Sequence, residues 1–190
     1  MTLIAFIRHM PTVWNRQGRL QGRRDTPLDP DAIPAWRLPA ELAGFRFLAS
    51  PLARARETAA RLGVAPLLDP RLTEMSWGRW EGHTLRELRA RYADIDELEA
   101  QGLDFRTPGG ESPRDVQDRV RPLLAEIAAA GAGTAAVTHK GVIRPVFALA
   151  AGWDMLGKPP HRLDWSAAHL FRLDPDGRPS VERLNIPLAV

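Results

Sequence analysis

Along the chain, short runs that are apolar at nearly every position alternate with longer stretches in which apolar residues recur at helical spacing. LIAFI (3–7), FRFLAS (45–50), AAVTH (135–139) and HLFRL (169–173) are of the first kind. A strand covered on both faces needs no polar side, so these runs predict buried strands of a largely parallel sheet. PLARARETAARL (51–62), residues 113–130 and GVIRPVFALAA (141–151) read as helices. In the first of these Pro51 stands just inside the helix start and Ser50 is the expected N-cap. Residues 83–100 carry Leu85, Leu88, Tyr92, Ile95 and Leu98 on a charged background, a half-buried helical pattern with one break. TPGGESP (107–113) is a turn ending in a capping serine, and Pro34 and Pro39 predict an irregular link with short helical turns between Asp29 and Phe45.

Strands alternating with helices across short links predict an α/β fold, a mostly parallel sheet flanked by helices. At 190 residues the chain fits one domain, 1–190, with residues 80–112 as a small helical insertion lying over the sheet edge. No internal repeat or low-complexity tract interrupts this pattern.

Composition narrows the function. With 44% hydrophobic and 26% charged residues the chain has the balance of a globular protein rather than a disordered or fibrous one. Its longest apolar stretch, Val146 to Trp153, is far short of the roughly twenty residues that span a bilayer. The run Thr2 to Ile7 is cut by Arg8 and has neither a basic flank nor a cleavage site, so a cytoplasmic location is expected. The absence of cysteine removes disulfides, thiolate metal sites and cysteine nucleophiles. The net charge is +3, and all of it lies in residues 1–30, where five arginines face Asp25 and Asp29. No aromatic interleaving accompanies that basic segment, which disfavours nucleic acid as a partner.

In open parallel sheets, ligands bind beyond the carboxyl ends of the strands. Arg8 and His9 follow the first predicted strand, Ser50 and Arg54 the second, and His139 ends AAVTH. Two histidines and two arginines meeting at one rim suit a compact anion, because guanidinium forks match phosphate oxygens.

The strings RHMPTVWN (8–15), GRLQGRRDTPL (18–28), SPLARARETA (50–59), LTEMSWGRWEG (72–82), PGGES (108–112) and VTHKGVIR (137–144) resemble, in order and spacing, the motifs of the histidine phosphatase superfamily. This is the phosphoglycerate mutase-like fold, in the branch marked by an Arg-His-Gly signature. The resemblance implies that His9 is a nucleophile carrying a transient phosphohistidine. It implies a phosphate pocket of Arg8, Arg54 and His139, with Asn15 as a neutral donor and Thr12 either as a hydroxyl contact or as the start of a short helix. Glu74 falls on the family's proton donor, while Glu81 and Arg56 are expected to be structural. Trp14, Trp77 and Trp80 are expected to pack the core and pocket wall, and His83, His161 and His169 match nothing in the constellation. Glu74 needs a raised pKa to donate near neutral pH, and burial and the nearby arginines act on it in opposite directions.

The signature departs from the family at Met10, where glycine is usual, so the side chain is expected to narrow the pocket or shift a donor amide. No HxH, HExxH or clustered carboxylate spacing and no phosphate-binding GxxxxGK[ST] loop is present, and the resemblance implies neither metal nor other cofactor. The family includes phosphatases and sugar-phosphate mutases. Only 51 residues follow His139, ending in NIPLAV, and that layout is similar to the small phosphatases, α-ribazole phosphatase among them. The expected activity is therefore hydrolysis of a small phosphorylated metabolite, with substrate choice made by residues 80–112 and the tail. The alternatives are a phosphoglycerate mutase or a weakly active phosphate-ligand-binding relative. Arg16, Arg19, Arg23 and Arg24 are expected to draw in the anionic substrate unless carboxylates elsewhere pair with them. The oligomeric state, monomer or homodimer, is open.

Overall fold

The run LIAFI forms the middle of β1 (Thr2–Arg8), and its side chains alternate between two cores. Ile4 and Phe6 join one cluster, Ala5 and Ile7 the other, and all four are fully buried. That two-sided burial explains why the run has no polar face. The same division holds in β2 (Arg46–Ala49), β4 (Thr134–Thr138) and β5 (Ala167–Leu173). With β3 (Leu67–Leu68) and β6 (Pro179–Pro187) they make one six-stranded sheet in the order β3-β2-β4-β1-β5-β6. The computed structural model describes residues 1–188, so the last two residues of NIPLAV lie outside the described residues.

Pairings from β3 through β2 and β4 to β1 are parallel, while β1–β5 and β5–β6 are antiparallel. On one face lie α5 (Pro113–Ala130) and α6 (Lys140–Ala151), which bury Val116, Val120, Leu124, Ile143 and Phe147 against the sheet. Phe6 meets Phe171 edge to face at 5.8 Å there. On the other face α2 (Ala53–Arg61) buries Ala55 and Ala59 beside Leu28 and, from the irregular 29–45 link, Leu42. That link contains short 3-10 turns at Pro30–Ala32 and Ala40–Leu42. The charged 83–100 stretch forms α3 (Leu85–Arg91) and α4 (Ile95–Glu99), with the break between them, and Trp80, Leu88 and Ile95 make a third, smaller cluster.

One helix start differs from expectation. Ser50 is not the N-cap of α2: Pro51 and Leu52 remain outside the helix, Leu52 is the cap residue, and the free Ala53 N–H donates to Asp25 Oδ1 at 2.6 Å. The Ser50 hydroxyl instead lies 2.7 Å from His139 Nε2. By contrast Ser112 caps α5 as expected, in a reciprocal pair with Asp115, and Gly131 ends the helix in the left-handed region.

Candidate active site

The parallel strands end in register, and that register assembles the site. Beyond the last paired residues, His9 N–H donates to Thr138 O at 2.9 Å and Ser50 N–H to Val137 O at 3.0 Å. His9, His139 and Ser50 therefore leave the sheet side by side, with the two imidazole centroids 5.2 Å apart.

His9 is held through its Nδ1, 2.7 Å from Met10 O. A carbonyl only accepts, so Nδ1 carries the proton and Nε2 keeps its lone pair. Burial, with repulsion from Arg8 and Arg54, holds the His9 pKa well below the usual imidazole value. Met10 does not narrow the pocket. Its side chain is buried in the α2-side core, its N–H donates to Thr58 Oγ1 at 2.8 Å and its φ is not positive, so no glycine is required there.

Arg54 is completely buried, and each of its nitrogens is engaged: Nε donates to His139 Nδ1 (3.2 Å), Nη1 to Arg24 O (2.7 Å) and Nη2 to Gly22 O (2.8 Å). Since His139 Nδ1 accepts, its Nε2–H must donate to Ser50, which fixes a neutral tautomer. Burial followed by neighbouring positive charge depresses the His139 pKa as well. Arg8 has a buried Nε with no hydrogen-bond partner. Arg56, two positions from Arg54, is exposed.

Glu74 sits in a loop braced from several sides. Thr138 Oγ1 donates to Leu72 O (2.6 Å), Arg119 Nη2 to Thr73 O (2.6 Å), and Glu111 Oε2 accepts from Ser76 N–H (2.8 Å). Arg119 Nε in turn donates to Glu111 at 3.0 Å. Within this loop Glu74 Oε1 accepts from Met75 N–H at 2.8 Å, and burial outweighs Arg54 and Arg8 to raise the carboxyl pKa. Glu81 faces elsewhere: it accepts from the backbone N–H of Arg23 (3.0 Å) and Trp77 (3.2 Å).

Two cavities open at this rim, one of about 640 Å³ that reaches Glu74 and Trp77, and one of about 810 Å³ walled by Trp36, Trp153 and Trp165. Arg8, His9 and Asn15 border both. Asn15 Oδ1 accepts the Thr12 N–H at 3.0 Å, which leaves its Nδ2 without a protein partner among the described residues. Of the two roles expected of Thr12 the structure shows the second, the start of a short helix, and not the phosphate contact: it is fully buried, caps α1 (Val13–Arg16) and shares its hydroxyl proton between Asn15 and Gln21. The arginines expected to steer substrate pair instead with carboxylates, Arg16 with Asp29 (3.3 Å), Arg19 with Glu87 (3.7 Å), Arg23 with Glu111 (3.0 Å) and Arg24 with Glu81 (3.7 Å).

Sequence reasoning missed Lys140 and Arg144, which border both cavities, although their four-residue spacing stood inside VTHKGVIR. It also missed Arg119 and Glu111, the brace of the Glu74 loop, and passed over His161, which lines the larger cavity. Among the described residues no helix is long and apolar enough to cross a membrane, and no cluster of three or more histidine and acidic side chains is arranged to hold a metal ion.

A mixed α/β sheet whose parallel strand ends place a neutral His9 beside the partly buried Arg8 and the buried Arg54, with the buried carboxyl of Glu74 within reach of both arginines, defines a protein equipped to handle a compact anion. The chain belongs to the histidine phosphatase superfamily, branch 1, whose family model matches residues 4–187. It is 30% identical to the bifunctional protein Rv2228c of Mycobacterium tuberculosis over 97% of its own length and 54% of that protein's, so it spans about half of that relative. It is 31% identical to the glucosyl-3-phosphoglycerate phosphatase of Mycolicibacterium vanbaalenii, over 81% of this chain and 78% of that one. Among solved structures, mycobacterial glucosyl-3-phosphoglycerate phosphatase Rv2419c in complex with VO3 superposes with a TM-score of 0.77 at 26% identity, covering 99% of each chain.

Proposed function

We propose that the protein is a phosphomonoesterase that hydrolyses a small phosphorylated metabolite through a phosphohistidine on His9, with no metal ion or other cofactor. The observation that carries this reading is the pairing of a neutral His9, its Nδ1–H anchored on Met10 O, with a buried Glu74 whose pKa is raised. In the first step the Nε2 lone pair attacks phosphorus, the bond from phosphorus to the leaving oxygen breaks, and the Glu74 carboxyl gives that oxygen its proton. In the second, Glu74 carboxylate takes a proton from water, the water oxygen attacks phosphorus and the P–N bond breaks. Inorganic phosphate leaves, and both side chains return to their starting protonation states.

Arg8, Arg54 and Asn15 are the groups we assign to the phosphoryl oxygens, where charge spreads in the transition state, and His139 joins them by sharing the Nε2–H that it otherwise gives to Ser50. General acid help from a positioned carboxyl is worth about 10² to 10⁴ in rate. Residues 80–112 serve in this proposal as the substrate-side lobe of a single domain, since Leu85, Glu99, Gly102 and Phe105 border the smaller cavity. The partner proposed is the substrate itself, in the cytoplasm, with neither nucleic acid nor membrane.

Phosphate release from a panel of sugar phosphates, nucleotides, phosphoglycerates and α-ribazole phosphate, assayed in EDTA, tests the reading. Activity that survives EDTA and disappears in His9→Ala is the expected result; turnover by His9→Ala at the wild-type rate refutes the mechanism. The relatives also include a protein named as a probable phosphoglycerate mutase, from Escherichia fergusonii, 31% identical over 66% of this chain and 62% of its own. Interconversion of 2- and 3-phosphoglycerate without phosphate release would favour that alternative.

A further inference from the structure

Arg8, Lys140 and Arg144 are the three cationic side chains that border both cavities. The reaction proposed above uses Arg8 and leaves Lys140 and Arg144 without a task. They stand four residues apart on α6 and so rise from one face of the helix, immediately after His139.

Elsewhere in this protein arginines beside the site close on carboxylates, as Arg23 does on Glu111 and Arg24 on Glu81. Lys140 and Arg144 make no hydrogen bond or ion pair among the described residues. Each instead lies against an indole face, Lys140 Nζ 5.2 Å from the Trp165 ring centre and Arg144 Cζ 5.2 Å from that of Trp153. Arg8 Cζ lies 5.9 Å from the Trp165 ring as well. An aromatic face steadies a cation but takes none of its N–H donors, so all the donors remain free.

Like charges are thus gathered with no ion-pair partner. Burial, then repulsion from Arg8 and Arg144, lowers the Lys140 pKa against the weaker pull of Glu74, and burial lowers that of Arg144. The carboxylate that acts on Arg144 is Glu99, itself 3.5 Å from Arg89. An anion entering between Lys140 and Arg144 would relieve that repulsion and use the idle donors.

We propose that Lys140 and Arg144 form a second anion subsite, so that the substrate is a phosphomonoester whose leaving group bears a further anionic group, a carboxylate or a second phosphate. This rests on the phosphomonoesterase reading: the phosphoryl group sits at His9, and the rest of the molecule reaches along α6 into the tryptophan-walled cavity.

Two matched pairs of esters test it, 3-phosphoglycerate against glycerol 3-phosphate and fructose 1,6-bisphosphate against fructose 6-phosphate. The proteins are the wild type, Lys140→Met, Arg144→Met and the double variant, in which methionine keeps an apolar stem against each indole. For at least one pair, wild-type kcat/KM favours the doubly anionic member by about tenfold or more, as a site built for a polar group discriminates against its absence. The double variant loses that preference, with a drop on the doubly anionic ester about ten times that on its partner. The pair that shows the effect identifies carboxylate or phosphate as the second group. Calorimetric binding of the same esters to His9→Ala, with and without the methionine substitutions, reads the subsite independently of turnover. A binding preference that the substitutions abolish, together with a wild-type protein that releases phosphate neither from these four esters nor from the wider panel, sinks the hydrolase reading and leaves the subsite standing. Equal affinities within both pairs, a preference the substitutions do not change, or no binding at all overturns the subsite.

Discussion

Gly141→Ala moves the proposed acid without touching a functional group. A Cβ at Gly141 would lie 2.2 Å from Glu74 Oε1 and 2.9 Å from Met75 Cβ, against an ordinary contact of 3.4 Å or more. The carboxyl oxygen must therefore retreat by more than 1 Å, and its 2.8 Å bond from Met75 N–H is lost or stretched. Because the obstructing atom is the end of a flexible side chain, the fold can accommodate the methyl group. Alanine in place of helical glycine is worth up to about 1 kcal/mol in favour of α6, which offsets the crowding at Met75. Rate is more sensitive: a misplacement of about 1 Å in a catalytic constellation costs on the order of 10². The assay is kcat/KM, which reports only the steps up to departure of the leaving group, on glycerol 3-phosphate, whose alkoxide needs a proton, beside p-nitrophenyl phosphate, whose phenolate leaves unaided. A loss of about 10² on the first and less than about tenfold on the second is expected, with the melting temperature nearly unchanged. Equal losses on both substrates, or unaltered rates on both, would refute the assignment of Glu74 as proton donor and the geometry behind it.

The pH dependence follows from opposite shifts. His9 stays neutral down to a pH below the ordinary imidazole range, and Glu74 stays protonated above the ordinary carboxyl range, so activity falls at high pH as Glu74 ionises. The wild-type to Glu74→Gln rate ratio, in which the substrate's own ionisation cancels, is expected to be large at low pH and to collapse as pH rises; a flat ratio would contradict the shift. Stability changes with the same sign. A carboxyl with a folded pKa above its unfolded one destabilises the fold once pH exceeds the unfolded value of about 4.3. Glu74→Gln should therefore stabilise the fold at neutral pH, by about 1.4 kcal/mol for each unit of elevation, read as a higher melting temperature, and lose that gain near pH 4. In Glu111→Gln the ion pairs to Arg119 and Arg23 go while an oxygen for Ser76 N–H remains, so kcat/KM on alkyl phosphates should fall about five- to tenfold with p-nitrophenyl phosphate nearly spared. Parallel losses on both would make Glu111 a structural residue only.

How much could be read in advance depended on whether burial left a one-dimensional trace. The strands β1 and β4 announce themselves because both their faces meet apolar cores, leaving unbroken runs. β6 does not, since only Pro179 and Ile186 of its nine residues are buried, and β3 is two exposed leucines at the sheet edge. In the site, strand ends located Arg8, His9 and His139 from the chain alone. Ser50 was legible as a residue at the rim but not as the partner of His139, because its expected role as a cap depended on where α2 begins, two residues later. Met10 misled for a related reason: a signature fixes which residue departs, but only the backbone shows that its side chain turns into the core. The tryptophan wall comes from two irregular segments, the 29–45 link with Trp36 and residues 153–166 with Trp153 and Trp165, which have no period to betray them.

The charge of the first thirty residues changes meaning once partners are known. Counted by position, five arginines make that segment an anion trap. Counted by pairing, four of them are fastened to Asp29, Glu87, Glu111 and Glu81, and three of those bonds tie the 16–24 segment to the acid loop and the polypeptide beyond it. Exposed pairs of this kind contribute little stability and leave little field for steering. The cations that border both cavities are Arg8, Lys140 and Arg144, and of these only Arg8 belongs to the basic stretch. Since the carboxylate Glu74 is itself driven toward its neutral form by burial, these cations face a site with a positive balance. Cations partly withdrawn from water and left without a carboxylate partner are costly to keep, and a role in holding an anionic ester explains their gathering at these cavities.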